Sequence, residues 1–342
     1  MVNIQRILYS LLILLISAVV IADTDADTDR RGLQWQGPAA SISTPYLQGN
    51  YRAVIIGNSQ YRDEHGVWKS LATPVKDAES VASLLQNDYG FHDIVKLQDA
   101  SRREILVALN DLSKRVEPND NVLVYYAGHG HLDEETKRGY WVPVDAKGKD
   151  KTTFIRNSTI RDEINIIAEK TKHTLLISDS CFSGSLLRSG NRAATESEKT
   201  DSYYVKVANK KSVQILAAGG IEFVDDNYRS SGHSPFTYFL LNELKNSVDK
   251  LLTTSELAIN VIKTVANNVS QTPESGVLMG AGDELGEFIF ARVNMQGKVV
   301  EFVSGKIQAN DQKSQLPKTG FPEQQSKQDK SESAVTAPLP RF

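Results

Sequence analysis

The sequence predicts an α/β fold, a mostly parallel central sheet flanked by helices. Three observations carry that prediction. Short apolar runs alternate with amphipathic stretches between residues 51 and 293, the rhythm of strands joined through helices. The run at 121–127 is apolar without clean in-and-out alternation, as expected of a strand covered on both faces. Helix-start signals fall where the period changes: Pro74 opens one amphipathic stretch, and Ser101 with Glu104 forms a capping box before another.

The elements follow in order. Residues 52–56 are a β-branched strand closed by Gly57-Asn58. In 75–86, Val75, Ala78, Val81, Ala82 and Leu85 recur at helical spacing. Then come a short strand at 94–97, a helix at 102–116, the strand at 121–127, a helix at 160–170 and a strand at 174–178. A strand at 213–218, helices at 236–245 and 255–267, and a strand at 287–290 complete the pattern.

Composition divides the rest of the chain. Arg6 precedes a nearly continuous apolar run at 7–21, and Ala22 is followed by Asp23-Thr24-Asp25. This reads as a signal peptide, 1–22, cleaved on export to the periplasm or the medium; the rival reading is a retained anchor. The run is shorter than the roughly 20 residues a membrane span needs. No second run approaches that length, so no stable span is expected once the signal is removed. Residues 23–50 read as a linker, 51–293 as the folded domain and 294–342, rich in Gln, Lys, Ser and Pro, as a disordered tail. Cleavage after Ala22 removes one basic residue and moves the net charge from −3 to −4. That balance does not call for nucleic acid or an anionic membrane as partner.

The chemistry concentrates in two segments. Tyr125-Tyr126-Ala127-Gly128-His129-Gly130 ends one apolar run, and Ser178-Asp179-Ser180-Cys181-Phe182-Ser183-Gly184 ends another. Cys181 is the only cysteine, so no internal disulfide is possible. In open α/β sheets ligands bind beyond the carboxyl ends of the strands. If the two strands are neighbours, thiol and imidazole meet at one edge, as a cysteine nucleophile requires. Gly128 and Gly130 permit close approach of a substrate, and the N–H groups of Gly130 and Cys181 are natural oxyanion donors. Asp179 stands two positions before the cysteine, where its carboxylate points into the same cleft.

Residues 51–293 resemble the caspase-like peptidases, nearest to bacterial metacaspase and paracaspase relatives. The matching segments, in order, are YRAVIIGNSQY (51–61), LATPVKDAESVASLL (71–85), YYAGHG, GYWVPVDA (139–146), SDSCFSG, ILAAGGIE (215–222) and SPFT (234–237). The resemblance implies the caspase-hemoglobinase fold and peptide-bond hydrolysis by a dyad, with His129 at the family's histidine and Cys181 at its nucleophile. It also implies a pocket for a basic side chain, with Asp179 and Asp77 as its acidic residues and Glu222 as a third. Protein or peptide substrates with Arg or Lys before the scissile bond are therefore expected. A guanidinium pairs bidentately with carboxylates that are costly to bury alone.

No cofactor is expected, though the resemblance leaves calcium open. Asp145, Asp162 and Glu163 fall near the family's calcium ligands, but Arg188 stands where a further Asp belongs, and an arginine is hostile to a hard cation. His131, two positions after His129, lacks a third ligand for zinc. His65, His92, His173 and His233 read as surface or loop residues. Leu316-Pro317-Lys318-Thr319-Gly320 is similar to a cell-wall sorting signal but lacks the apolar span that must follow one. The polar stretch 185–211 carries Arg188, Arg192, Lys199, Lys206, Lys210 and Lys211, so self-processing of a zymogen is expected there. The alternatives are a catalytically silent binding module on the same fold, or a peptide ligase using the same dyad.

Overall fold

The computed structural model describes residues 32–36, 48–181, 186–187, 201–219, 227–247, 251–280 and 282–293. Signal segment, tail and sorting-signal-like stretch lie outside these residues. The centre is a seven-stranded sheet in the order β1-β3-β2-β4-β8-β9-β11. Its strands are β1 (Gly32–Gln36), β2 (Tyr51–Gly57), β3 (Asp93–Gln98), β4 (Asn121–Ala127), β8 (His173–Asp179), β9 (Ser212–Ala217) and β11 (Glu274–Val277). The five inner strands are parallel, and β1 and β11 close the edges antiparallel.

The unbroken apolar runs serve two cores at once. Leu123, Tyr125 and Ala127 of β4 enter one, with α1 (Pro74–Asp88), α5 (Pro235–Asn246) and α6 (Thr254–Asn268). Val122, Val124 and Tyr126 enter the other, with α2 (Arg102–Arg115) and α3 (Asn157–Lys170). Period-two alternation is thus present in the structure but invisible to hydropathy, because both faces bury apolar groups. The expected capping box forms, with the Ser101 hydroxyl accepting from Glu104 N and the Glu104 carboxylate from Ser101 N.

Several elements depart from the sequence reading. Residues 32–36, read as linker, pair with β3 from Gly32↔Leu97 to Gln36↔Asp93. The strand read at 287–290 is β12 (Ile289–Ala291), which leaves the main sheet to pair with β10 (Leu251–Thr253). Between β4 and α3 a small antiparallel sheet forms from β5 (Gly130–Asp133), β6 (Arg138–Trp141) and β7 (Ile155–Arg156). Part of the polar stretch after Cys181 is helical, as α4 (Asp201–Ala208). At the amino ends of the strands, Arg52 spans Asp120 and Asp93 at 2.6 Å each, and Arg115 joins Asp93 at 2.6 Å. This network ties β2, β3, β4 and α2 together at the end of the sheet away from His129 and Cys181.

His173 is not the surface residue expected. It begins β8 at 4% exposure, with Nδ1 2.9 Å from Ser212 Oγ and Nε2 3.0 Å from Ala208 O. A carbonyl only accepts, so Nε2 carries the hydrogen and Nδ1 accepts from Ser212. Burial opposes the charged form and lowers the pKa to about 4. The unfolded chain takes up this proton from about pH 6.5 downward, whereas the folded chain does so only near 4. Stability is therefore complete above that window and falls as pH drops through it. At about 1.4 kcal/mol per pH unit the loss reaches about 3 kcal/mol. Urea denaturation at stepped pH should show it in wild type and not in His173→Gln; equal slopes would assign the pH dependence to other groups.

Candidate active site

β4 and β8 are parallel neighbours in register, the last pair being Ala127↔Asp179. His129 and Cys181 each lie two residues past that pair, so one sheet edge delivers both. Gly128 N donates to Asp179 O at 3.3 Å, carrying the ladder one step further. A Cβ on Gly130 would stand 2.1 Å from Cys181 O and 3.1 Å from Cys181 N. The two turns are therefore in backbone contact, and only glycine allows it. Gly128 is constrained differently. Its φ is +155°, and a Cβ there would meet the Tyr61 and Tyr126 hydroxyls at 2.8 and 2.9 Å.

Those tyrosines hold the histidine. His129 N donates to the Tyr61 hydroxyl at 2.7 Å, and the Tyr61 ring lies 4.6 Å from the imidazole. The buried Tyr126 hydroxyl lies 2.9 Å from His129 O and 3.0 Å from Val142 O, and its ring stacks on Trp141 at 4.1 Å. Trp68 packs on the imidazole at 5.4 Å. The ring's Nε2 lies 2.8 Å from Lys69 O. That carbonyl requires an N–H, which fixes the Nε2–H tautomer and makes Nδ1 the basic nitrogen. Imidazole orientation by a second group is a recurring feature of nucleophile–base pairs.

Cys181 is half-buried. Burial pushes its thiol pKa up, and the negative charge of Asp179 pushes the same way. Both disfavour the thiolate, so the thiol needs a base to take its proton when it attacks.

Asp77 and Asp179 meet at the amino end of α5. Ser234, the cap of that helix, donates its N–H to Asp77 Oδ2 at 3.3 Å and its hydroxyl to Asp179 Oδ2 at 2.5 Å. Thr237 Oγ1 adds a second bond to Asp179 at 2.7 Å, and the Tyr125 hydroxyl backs Thr237 at 2.6 Å. Asp77 is 1% exposed; burial raises its pKa, against His233, whose Nδ1 lies 2.6 Å from Asp77 Oδ1. His233 is therefore not the isolated loop residue expected. It ends a loop in which Arg229, Ser230 and Gly232 take left-handed φ of 48°, 58° and 77°. Such backbone costs about 1–2 kcal/mol at each non-glycine position, and it clusters where a loop must hold a particular group.

Glu222 lies outside the described residues, as do Phe182, Ser183, Gly184 and Arg188. The described calcium candidates have protein partners near them. Asp145 accepts from Arg102 N at 2.8 Å, and Asp162 lies 3.4 Å from Arg161. Among the described residues no three His, Cys, Asp or Glu side chains converge to hold a metal ion. His131 packs against Trp68 and Phe154. Tyr61, Trp68, Lys69, Tyr126, His233, Ser234 and Thr237 escaped the reading of roles from sequence. A weak signal existed for two of them, because Ser-Pro-x-Thr is a helix start whose hydroxyls sit at one end. Lys69 acts through its carbonyl, which no side-chain pattern can reveal.

Comparisons with known proteins identify the family of the chain. A family model described as a caspase domain matches residues 50–280. Metacaspase-1 of Cryptococcus neoformans is 29% identical over 181 residues, covering 46% of this chain and 38% of the relative. Metacaspase-1 of Candida albicans is 30% identical over 158 residues, covering 41% and 34%. The chain thus spans well under half the length of these curated relatives. Caspase-1 from Spodoptera frugiperda, a solved structure, is 14% identical with a TM-score of 0.46, covering 78% of this chain and 99% of that one. With the family model matched over about two thirds of its length, this chain belongs to the caspase-domain family of cysteine peptidases.

Proposed function

We propose that the chain is a cysteine endopeptidase that cleaves after Arg or Lys through Cys181 and His129. The observation that carries the specificity is the pair of carboxylates, Asp77 and Asp179, bridged by Ser234 at the end of β8, two residues before Cys181. Two acidic groups that share a site repel each other, and a guanidinium relieves that repulsion while pairing with both.

The steps follow from the groups present. Cys181 Sγ attacks the scissile carbonyl carbon as its proton passes to His129 Nδ1. The oxyanion accepts from the N–H groups of Gly130 and Cys181. Collapse breaks the C–N bond, and His129 returns the proton to the leaving amine. Water then hydrolyses the thioester, with His129 again as base. These steps use side chains and backbone alone. The apolar run at 7–21 supports an exported enzyme, and no helix among the described residues is long and apolar enough to cross a membrane.

The test is turnover of fluorogenic Arg, Lys, Gln and Asp peptides. Preference for Arg and Lys is expected; preference for Asp would overturn the acidic pocket. Self-processing between residues 185 and 211 is expected as well, with its sites narrowed by the fold. Lys206 sits within α4, and the amides that follow Lys210 and Lys211 are both bonded, Lys211 N–H to Glu284 and Ser212 N–H to Lys172 O at the start of β9. Cleavage should therefore fall after Arg188, Arg192 or Lys199, which lie outside the described residues. Mass spectrometry should find such cuts in the active protein and none in Cys181→Ala. An uncut active enzyme would make this stretch a plain connection.

A further inference from the structure

We infer that His233 is a specificity-determining residue, a cation built into the pocket whose protonation sets how strongly the site prefers a cationic side chain. The inference rests on the proposed basic-residue specificity and adds to it. Asp77 is one of the two groups that would receive a guanidinium, yet an imidazole already occupies it at 2.6 Å. Nδ1 donates to the carboxylate whether or not the ring is protonated, so the contact survives both states and only its charge changes. With a neutral ring, the charge of Asp77 is left for the substrate to match. With a protonated ring, that charge is matched before any substrate arrives.

The ring is well placed to act this way. Its side chain is 15% exposed, so protons reach it from solvent, whereas Asp77 beneath it is 1% exposed. Its position is fixed rather than adaptable. His233 O accepts from Tyr228 N at 2.9 Å, a turn that is left-handed at Arg229, Ser230 and Gly232 leads into it, and Ser234 immediately after it is bonded to both carboxylates.

The charged groups around it come from several elements. α1 contributes Asp77, and also Lys76, whose ammonium donates to Ser231 O at 3.2 Å. β8 contributes Asp179, one residue away through Ser234, and β4 contributes the neutral Tyr125 hydroxyl behind Thr237. His233's own loop contributes Arg229, held over the Tyr228 ring at 5.0 Å. Among these side-chain types, an imidazole is the one that can exist in both charge states near neutral pH.

The experiment compares peptides that carry Arg or citrulline before the scissile bond, on the full chain. The two side chains have the same shape and differ in charge. Their ratio of kcat/KM cancels the titration of Cys181 and His129, which acts on both substrates alike. In wild type the ratio should rise about tenfold from about pH 5.5 to about pH 8, as one matched pocket charge becomes available. In His233→Asn, whose amide still donates to Asp77 but never protonates, the ratio should stay flat and high. A flat ratio in wild type overturns the proposal without touching the basic pocket. A rise that persists in His233→Asn also overturns it, because the titrating group is then a carboxylate. No preference for Arg at any pH overturns the basic pocket itself, and this proposal with it. The wild-type profile decides the first and last cases even if the variant fails to fold.

Discussion

Cys181→Ala is expected to lose about 10⁴-fold or more in kcat, the scale on which nucleophile–base pairs fail when their nucleophile is removed. No other thiol can substitute, because the chain has a single cysteine. Stability should change little, since the thiol is only half-buried and alanine fits a turn whose constraint lies in backbone contact with Gly130. Circular dichroism and thermal melting of the two proteins should therefore coincide while turnover does not. Alkylation offers an independent readout. Burial and Asp179 disfavour the thiolate, so iodoacetamide should react slowly in the resting enzyme, and each modified Cys181 should remove one active site. Full activity of the alanine variant, with matched spectra, would end the cysteine-peptidase reading.

How much of this was legible in the sequence depended on where each signal resides. The five parallel strands were readable because burial on both faces leaves continuous β-branched and aromatic runs, such as Val122 to Tyr126. The adjacency of β4 and β8 was not readable, since strand order is a tertiary property; the motifs only showed what would follow if they were neighbours. The hairpin sheet β5-β6-β7 was missed because its segments are two to four residues long, below the reach of any period. β1 was missed because it is an edge strand in a polar context, carrying two glutamines. His233 and His173 were misread for a shared reason. A lone histidine in sequence carries no mark of its partner, and Asp77 lies 156 positions from His233, as Ser212 lies 39 from His173.

Asp179→Asn should separate a residue that reads the substrate from one that only supports the Cys181 turn. The substitution keeps the shape, and the Ser234 and Thr237 hydroxyls can each turn to donate or accept, so the local bonds to Ser234 and Thr237 can re-form. What disappears is one negative charge in a half-buried site. If that charge meets a guanidinium, its loss should cost about 2–5 kcal/mol on Arg peptides, or about 30-fold to several thousand-fold in kcat/KM. A surface charge would account for about 1 kcal/mol or less. On Gln peptides the direction differs. Asp179 disfavours the thiolate of Cys181, so removing its charge should leave turnover of uncharged substrates unchanged or slightly faster. The two substrates should therefore diverge rather than fall together. The measurement is kcat/KM for Arg, Lys, Gln and Asp peptides on wild type and Asp179→Asn, with melting curves to verify the fold. Equal losses on Arg and Gln would place Asp179 among the supports of the Cys181 turn, with its charge unread by the substrate. A loss confined to Arg and Lys would make Asp179 the floor of the pocket, with Asp77, held by His233, as its adjustable wall.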